Sequence, residues 1–522
     1  MNSPQLSLSE HRPLAVPIVI FLSLMVVSVV LMVAGAILGK TSLAPLTSPV
    51  EWLGTLDVEA AFDIVSNAAE VVAAVLAIAI TVVAIVVELA ANRYSHEITR
   101  LFLREPVNLL VLGLFVITTL QCVWTSAVMA PVSSDAVLPH AGFAITLALV
   151  VLCLLLLVPY IYFVFAFLSP ISVIQRISRD AYRRILRVRI GNVPDSQSRV
   201  EEAVDQLQDV ARSAIAQGDR SIAMAAVDAM ARLLMDYVEV RDGLPDDWFR
   251  VTDAIASDPD FVALAPETMT EVQTQGLWLE RKLFRRYLSL LGQTTGQSGD
   301  VANVIGINTQ QIGSALGADR PQLLELCRRS FNSYLRTTIN ARDPRTAYFL
   351  MNQYRVLGEQ MLKKGRESDA VKVAEYLQEY GHLANRMGIP FLLETAAYDV
   401  MQLIELAVEG DAAALDPLLG CFLALDQEIT GEDRDEIQLG VRRAQIQLAT
   451  FFLERGDDER TNRIIDDLRG EKRERLDHLR SSLLSDDRAQ FWELMDRGAN
   501  FRYLAPERRG FLAEVFRRLD AG

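Results

Sequence analysis

Histidine and cysteine are scarce in this 522-residue chain, with five of the first and four of the second. His11, His96, His140, His382 and His478 form no HExxH pattern, and Cys122, Cys153, Cys327 and Cys421 share no metal-ligand spacing. Both absences exclude the usual zinc sites and Cys/His nucleophile pairs. The thiols read as reduced, buried small hydrophobes, two of them inside apolar runs. A basic excess is missing as well. The first 190 residues hold 11 basic and 11 acidic side chains, so the entire net charge of −15 lies on the remainder, with 40 basic against 55 acidic residues. Nucleic acid is thereby excluded as a partner, because phosphate contacts need clustered lysine and arginine. The run Gly292-Gln293-Thr294-Thr295-Gly296-Gln297-Ser298-Gly299 lacks the Lys-Ser/Thr pair that completes a phosphate loop, and it reads as a flexible connection. No catalytic residue, metal or cofactor follows from these patterns, and the chain is not read as an enzyme.

What the chain has in abundance is apolar length. Runs at residues 16–38, 63–92, 109–130 and 141–168 are each long enough to cross a hydrocarbon core of about 30 Å. Four transmembrane helices are therefore expected in a domain spanning residues 1–170. The first run exceeds a signal peptide's apolar region and its positive flank is only His11 and Arg12, so it reads as an uncleaved anchor. Arg93, Arg100 and Arg104 lie between the second and third spans, and six arginines between Arg176 and Arg189 follow the fourth. The other two loops hold Lys40 alone. The positive-inside rule then puts both termini in the cytoplasm.

The second span sorts its residues by face. Asp63, Asn67, Glu70, Ala74, Ala77, Thr81, Ala84, Glu88 and Asn92 recur every three or four positions and include no large apolar side chain. At about 100° per residue they make one stripe on a helix. A lipid-facing helix gains nothing from such a stripe, so it is expected to face protein or water. Two readings stay open. Small residues at this spacing suit close helix packing within a protomer or dimer. The same stripe, repeated around a symmetry axis, would line a pore with carboxylate rings that favour cations. Glu70 and Glu88 are 18 residues apart, about 27 Å along the axis, near the two interfaces. The remaining spans carry no charge in their cores, and neither an internal repeat nor broken helices argue for a transporter.

Residues 171–192 pair an arginine stripe, Arg176, Arg179, Arg183 and Arg187, with an apolar one, Ile174, Ile177, Ala181, Ile185 and Val188. Such a basic amphipathic helix suits either lipid headgroups at an anionic leaflet or a straight continuation of the fourth span that docks on the following domain. Residues 193–522 then show apolar residues at helical spacing and almost no period-two alternation, so the fold class expected is all-α throughout. Ser198 with Glu201 has the form of a capping box, and Asp343-Pro344 that of an N-cap followed by proline. Glycines 218, 365, 410 and 456 each close one amphipathic run and open another, the last three 45 and 46 residues apart. Left-handed glycine at each turn is expected. The spacing suits stacked helical hairpins of the tetratricopeptide or HEAT type, and Leu448 to Asp457 resembles a tetratricopeptide turn. An open solenoid and a closed bundle fit equally well, and either offers a contact surface for a cytoplasmic protein partner.

Tyr94-Ser95, Arg100-Leu101-Phe102-Leu103-Arg104 and Gly113-Leu114-Phe115 resemble an uncharacterised bacterial inner-membrane family, domain of unknown function 2254. Asp343-Pro344-Arg345-Thr346-Ala347 resembles that family's Asp-Pro-x-Thr-Ala helix start, with Arg342 where the family shows asparagine. The resemblance implies four N-terminal spans in the inner membrane and a helical cytoplasmic region, and it implies no activity. The expectation is a homo-oligomeric, cation-preferring channel or conductance regulator with span two at its axis, in contact with membrane lipids. The alternative is a membrane-anchored scaffold.

Overall fold

The computed structural model describes residues 57–93, 105–129, 140–167, 169–188, 192–296, 299–317, 319–410, 413–427, 434–485, 487–490, 497 and 500–520. The expected first span at residues 16–38 lies outside them, as do Tyr94, Ser95 and residues 100–104. The described residues are helical, with no strand among them. The chain divides into two units, Met1–Arg176 and Ile177–Gly522.

Among the described residues of the first unit three helices are long and apolar enough to cross a membrane. They are α1 (Val58–Arg93), α2 (Pro106–Met129) and α3 (His140–Phe167), and each packs on the other two. Their facing sides repeat at three and four residues. On α2 the buried positions are Asn108, Val111, Phe115, Thr118, Cys122, Thr125 and Met129; α3 answers with Phe143, Thr146, Val150, Cys153, Tyr160 and Val164. Polar rungs cross this interface. The Thr125 and Thr146 hydroxyls lie 2.9 Å apart, the Thr118 hydroxyl is 3.2 Å from Cys153 Sγ, and Tyr160 donates to the Asn108 carboxamide. In a bilayer such interhelical bonds supply attraction that lipid-like side chains alone do not. Pro159 lies inside α3, which continues through it. Helix α4 (Pro170–Arg187) follows after Ser169, and its apolar residues Val173, Ile174, Ile177, Ala181 and Ile185, with Val188 just past its end, are buried.

The second unit is a two-row array of helices. After α5 (Val193–Ala216) and α6 (Arg220–Val240) come three short helices, α7 (Asp253–Ser257), α8 (Pro259–Val262) and α9 (Pro266–Gln275). Long helices then alternate: α10 (Trp278–Thr294), α11 (Gly299–Leu316), α12 (Pro321–Asn340), α13 (Pro344–Lys363), α14 (Glu367–Arg386), α15 (Phe391–Glu409), α16 (Leu415–Leu423), α17 (Arg434–Glu454), α18 (Asp458–Leu468), α19 (Arg473–Ser485) and α20 (Pro506–Asp520). One row packs in the order α6, α11, α13, α15, α17, α20, and the other in the order α5, α10, α12, α14, α16. The apolar stripe Leu392, Ala396, Val400, Leu403 and Ala407 of α15 is fully buried, as its spacing predicts. Gly306 and Gly313 let α11 approach α13 closely, since an added Cβ would stand 2.9 Å from Leu350 and Leu357 side-chain carbons.

Gly218, Gly365 and Gly456 have φ of 75°, 69° and 74° and end their helices in the left-handed conformation, while Asp219 and Asp457 cap the helices that follow. Gly410 departs from the expectation. Its φ is −92°, because α15 ends through a bond from its N–H to the Leu406 carbonyl that needs no left-handed residue. The capping box at Ser198 is a second correction. The helix begins five residues earlier, at Val193, with Pro194 in its first turn, and Glu201 is thereby carried into the interior.

Candidate functional site

The buried residues of α1 are Ala61, Val65, Val72, Ala79 and Val87, and they mark the side on which it packs against α2 and α3. Val72 is nine positions from both Asp63 and Thr81, about two and a half turns, so it lies on the opposite side of the helix from them. Accordingly Asp63, Asn67, Glu70, Ala74, Ala77, Thr81, Ala84 and Glu88 are all exposed on the unit. Asn92 belongs to α1, but its side chain lies outside the description. Ile78 and Ile85, 65% and 52% exposed, flank the stripe. The Thr81 hydroxyl donates to the Ala77 carbonyl at 2.8 Å, which leaves the centre of the stripe narrow and without an unmet donor. The close-packing role considered for the stripe is therefore not exercised against α2 or α3. Carboxylates and small residues share a surface whose covering is neither of those helices.

The arginine stripe of α4 is also outward. Arg179, Arg183 and Arg187 are exposed, while the Arg176 guanidinium sits 3.6 Å above the Phe167 ring. A helix lying flat in a leaflet turns its apolar side to lipid; here that side is buried in protein, so headgroups would meet only the arginine side.

In the second unit the structure assembles charged groups of which the sequence singled out only Glu201, and that as part of a capping box. Lys282 on α10 is fully buried, with its ammonium 2.9 Å from Asp258, 3.0 Å from Asp205, 3.5 Å from Glu201 and 3.7 Å from Asp260. Arg286 reaches Asp205 at 2.8 Å and Asp260 at 2.9 Å. Burial pushes the Glu201 carboxyl up to about 7, although Lys282 pulls the other way. Burial opposes the charge on Lys282 too, but Asp205 and Asp258 outweigh it and raise the ammonium pKa. Glu280, on the same helix, is 1% exposed and bonded to Arg241 at 3.2 Å, and burial raises it to about 7. A visible signal existed for the first cluster. Glu201 and Asp205 stand four apart among the apolar positions Val200, Val204 and Leu207, where a solvated helix face would not place them.

A second assembly holds part of the chain itself. The Arg497 guanidinium grips Asp399 at 2.6 and 3.1 Å, donates to the Tyr348 carbonyl at 2.7 Å and covers the Tyr348 ring. Phe501 stacks on Tyr398 with centroids 4.2 Å apart, and its carbonyl accepts from Tyr398 and from Gln447 Nε2. Gln447 Nε2 also donates to the Tyr503 carbonyl. Beside this segment is a cleft of about 420 Å³ lined in part by Gln402, Glu405, Glu454 and Arg508. Distant sequence separation, about a hundred residues, hid this pairing from any local pattern.

Two motifs resolve into structure. The Asp343 carboxylate accepts from the Thr346 backbone N–H and hydroxyl and from Gly296 N–H at 3.1 Å, so the Asp-Pro-x-Thr-Ala start caps α13 and ties down the glycine-rich connection. Arg342 before it has φ 54°, in the left-handed region that asparagine adopts more readily. All four cysteines are free, three buried and Cys421 half-buried. Among the described residues no group of three or more His, Cys, Asp or Glu is placed to hold a metal.

Comparison with curated proteins and with solved structures returns no match, and nothing in the comparisons supports the tetratricopeptide likeness. Residues 15–203 match the model of the family described as Predicted membrane protein (DUF2254).

Proposed function

We propose that the protein is a homo-oligomeric membrane channel, or a regulator of one, in which the α1 stripes of several copies face a common axis and prefer cations. One observation carries this reading: eight stripe residues, four of them Asp63, Asn67, Glu70 and Glu88, are exposed directly opposite the ridge by which α1 packs on its own unit. Carboxylates and a carboxamide on a membrane helix favour protein or water over acyl chains. The other copies supply that cover in the proposal, with Glu70 and Glu88 forming rings about 27 Å apart. In this arrangement both termini lie on the cytoplasmic side of a bacterial inner membrane, on the positive-inside argument, and Arg179, Arg183 and Arg187 reach headgroups.

Cysteine cross-linking in native membranes tests the assembly. Thr81→Cys should give a covalent dimer, and Val72→Cys should not. If Thr81→Cys instead forms a disulfide with a second cysteine introduced within residues 16–38 of the same chain, without dimer, the first apolar run covers the stripe. In planar bilayers Glu70→Gln and Glu88→Gln should reduce cation preference. Purified protein that is monomeric and passes no current under voltage or tension would overturn the reading.

The scaffold reading is favoured by a different observation, the seating of Arg497 and Phe501 on Tyr348, Tyr398, Asp399 and Gln447. Side-chain amide donors to two nearby backbone carbonyls, an aromatic stack and an arginine clamp are what an extended peptide needs. The full-length Phe501→Ala protein should then bind a peptide of residues 495–505 more tightly than the wild type does. Equal, weak binding by both would sink it.

A further inference from the structure

In a strongly acidic unit, Arg281 on α10 makes no ion pair, although Glu271 attracts it from a distance. No carboxylate stands within 4.0 Å of it among the described residues, and its buried Nε has no hydrogen-bond partner. Glu271 and Glu325 line a small pocket beside it without pairing to it, and cations stand on its other side. Arg285, one turn along α10, and Arg329 on the adjacent α12 line the same pocket of about 130 Å³, together with Ser330, Ser333 and Tyr334. The acids nearby are already shared. Asp260 serves Lys282, Arg286 and, at 3.6 Å, Arg285; Glu325 serves both Arg328 and Arg329. Glu271 bonds Arg329 at 3.0 Å. Burial lowers the pKa of Arg281, and Arg285 and Arg329 push it the same way against Glu271.

Folding gains nothing from bringing three guanidinium groups to one half-buried pocket with one of them unpaired, because desolvation and like-charge repulsion both oppose it. Such a cost is usual at a site whose missing partner is a ligand. The available donors narrow the ligand class. Guanidinium groups from two helices line the pocket with more N–H groups than one carboxylate accepts, whereas a phosphoryl group presents three oxygens on different sides; the Ser330 and Ser333 hydroxyls already donate to the Leu326 and Arg329 carbonyls. The volume suits a single phosphoryl group with a small substituent.

We infer that the pocket between α10 and α12, lined by Arg281, Arg285, Arg329, Ser330 and Ser333, binds a phosphoryl anion, free or as a lipid headgroup. The site is independent of the α1 stripe.

The test uses full-length protein in detergent, with thermal unfolding followed by tryptophan fluorescence at ionic strength matched by chloride. Saturating inorganic phosphate or pyrophosphate should raise the wild-type midpoint by about 3 °C or more. Vesicles of phosphatidylcholine with and without phosphatidic acid form a second arm, read by co-flotation. Anion response only to phosphatidic acid assigns the headgroup, and response to the free anions assigns the soluble ligand. Arg281→Met carries the signature that separates a site from a structural pair. It should raise the midpoint in phosphate-free buffer, because repulsion is removed, and it should abolish the anion response or weaken affinity at least tenfold. Arg285→Met, read the same way, serves if Arg281→Met is not obtained folded. Exposed Arg212→Met should leave the response intact. The inference is overturned if none of the three phosphoryl compounds acts on the wild type, or if Arg281→Met lowers the midpoint and keeps the response.

Discussion

Glu280 offers a sharp test of how burial and charge trade in the helical array. Its carboxyl is 1% exposed and accepts from Arg241 Nε at 3.2 Å, yet burial outweighs that attraction and moves its pKa from the ordinary 4.5 to about 7. In the unfolded chain it titrates near the ordinary value. Between these two pH values the folded protein therefore holds a proton that the unfolded chain has released. The corresponding stability is fully present below about 4.5 and is lost as pH rises through about 7. At about 1.4 kcal/mol per pH unit, the gap corresponds to roughly 3 kcal/mol. Glu280→Gln keeps an acceptor for Arg241 and removes the titration. For a unit of this size that difference is worth roughly 4 °C in the melting midpoint. Trp278, two residues away, and Trp248, stacked edge-on against it at 5.2 Å, are both fully buried and report unfolding at this place by fluorescence. The measurement is the midpoint of wild type and variant from pH 4.5 to 8. The wild-type curve should fall more steeply with rising pH than the variant's, and the variant should be the more stable of the two at pH 8. Parallel curves would refute the claim that burial dominates at Glu280.

Removal of the buried ammonium by Lys282→Met strands Glu201, Asp205, Asp258 and Asp260 around an apolar chain; a loss of about 3–5 kcal/mol is expected in urea unfolding. Arg342→Asn relaxes the one non-glycine residue with positive φ among those described, and should gain about 0.5–1 kcal/mol in the same assay. Tyr160→Phe deletes the bond to Asn108 between α2 and α3 and should cost about 0.6–2 kcal/mol in detergent unfolding, with no change for Tyr162→Phe, whose ring lies on the outer side.

Helix identity was legible from the chain because it depends on local spacing. The α15 stripe, the turns at Gly218, Gly365 and Gly456, and the caps at Asp219, Asp343 and Asp457 each involve residues within a few positions of one another. Ser198 with Glu201 misled for an instructive reason. A capping box is a local pattern, but Pro194 starts the helix earlier and Lys282, some eighty residues on, gives Glu201 a different partner. Periodicity also separated the two sides of α1 without saying which one packs. Lipid and protein are both apolar neighbours for valine, so only the placement of α2 and α3 decided that Val65 and Val72 are covered and Ala77 and Thr81 are not.

From the sequence alone came the all-α class, the apolar spans and the absence of any metal or nucleophile pattern, since short-range periodicity and residue chemistry suffice for these. The tertiary structure alone decided which charges meet. Lys282 with its acids, Arg497 with Asp399, and Arg281 with no ion pair are pairings, or a lack of one, across dozens of residues. Electrostatic energy depends on distance and burial in space, and neither is encoded by position along the chain.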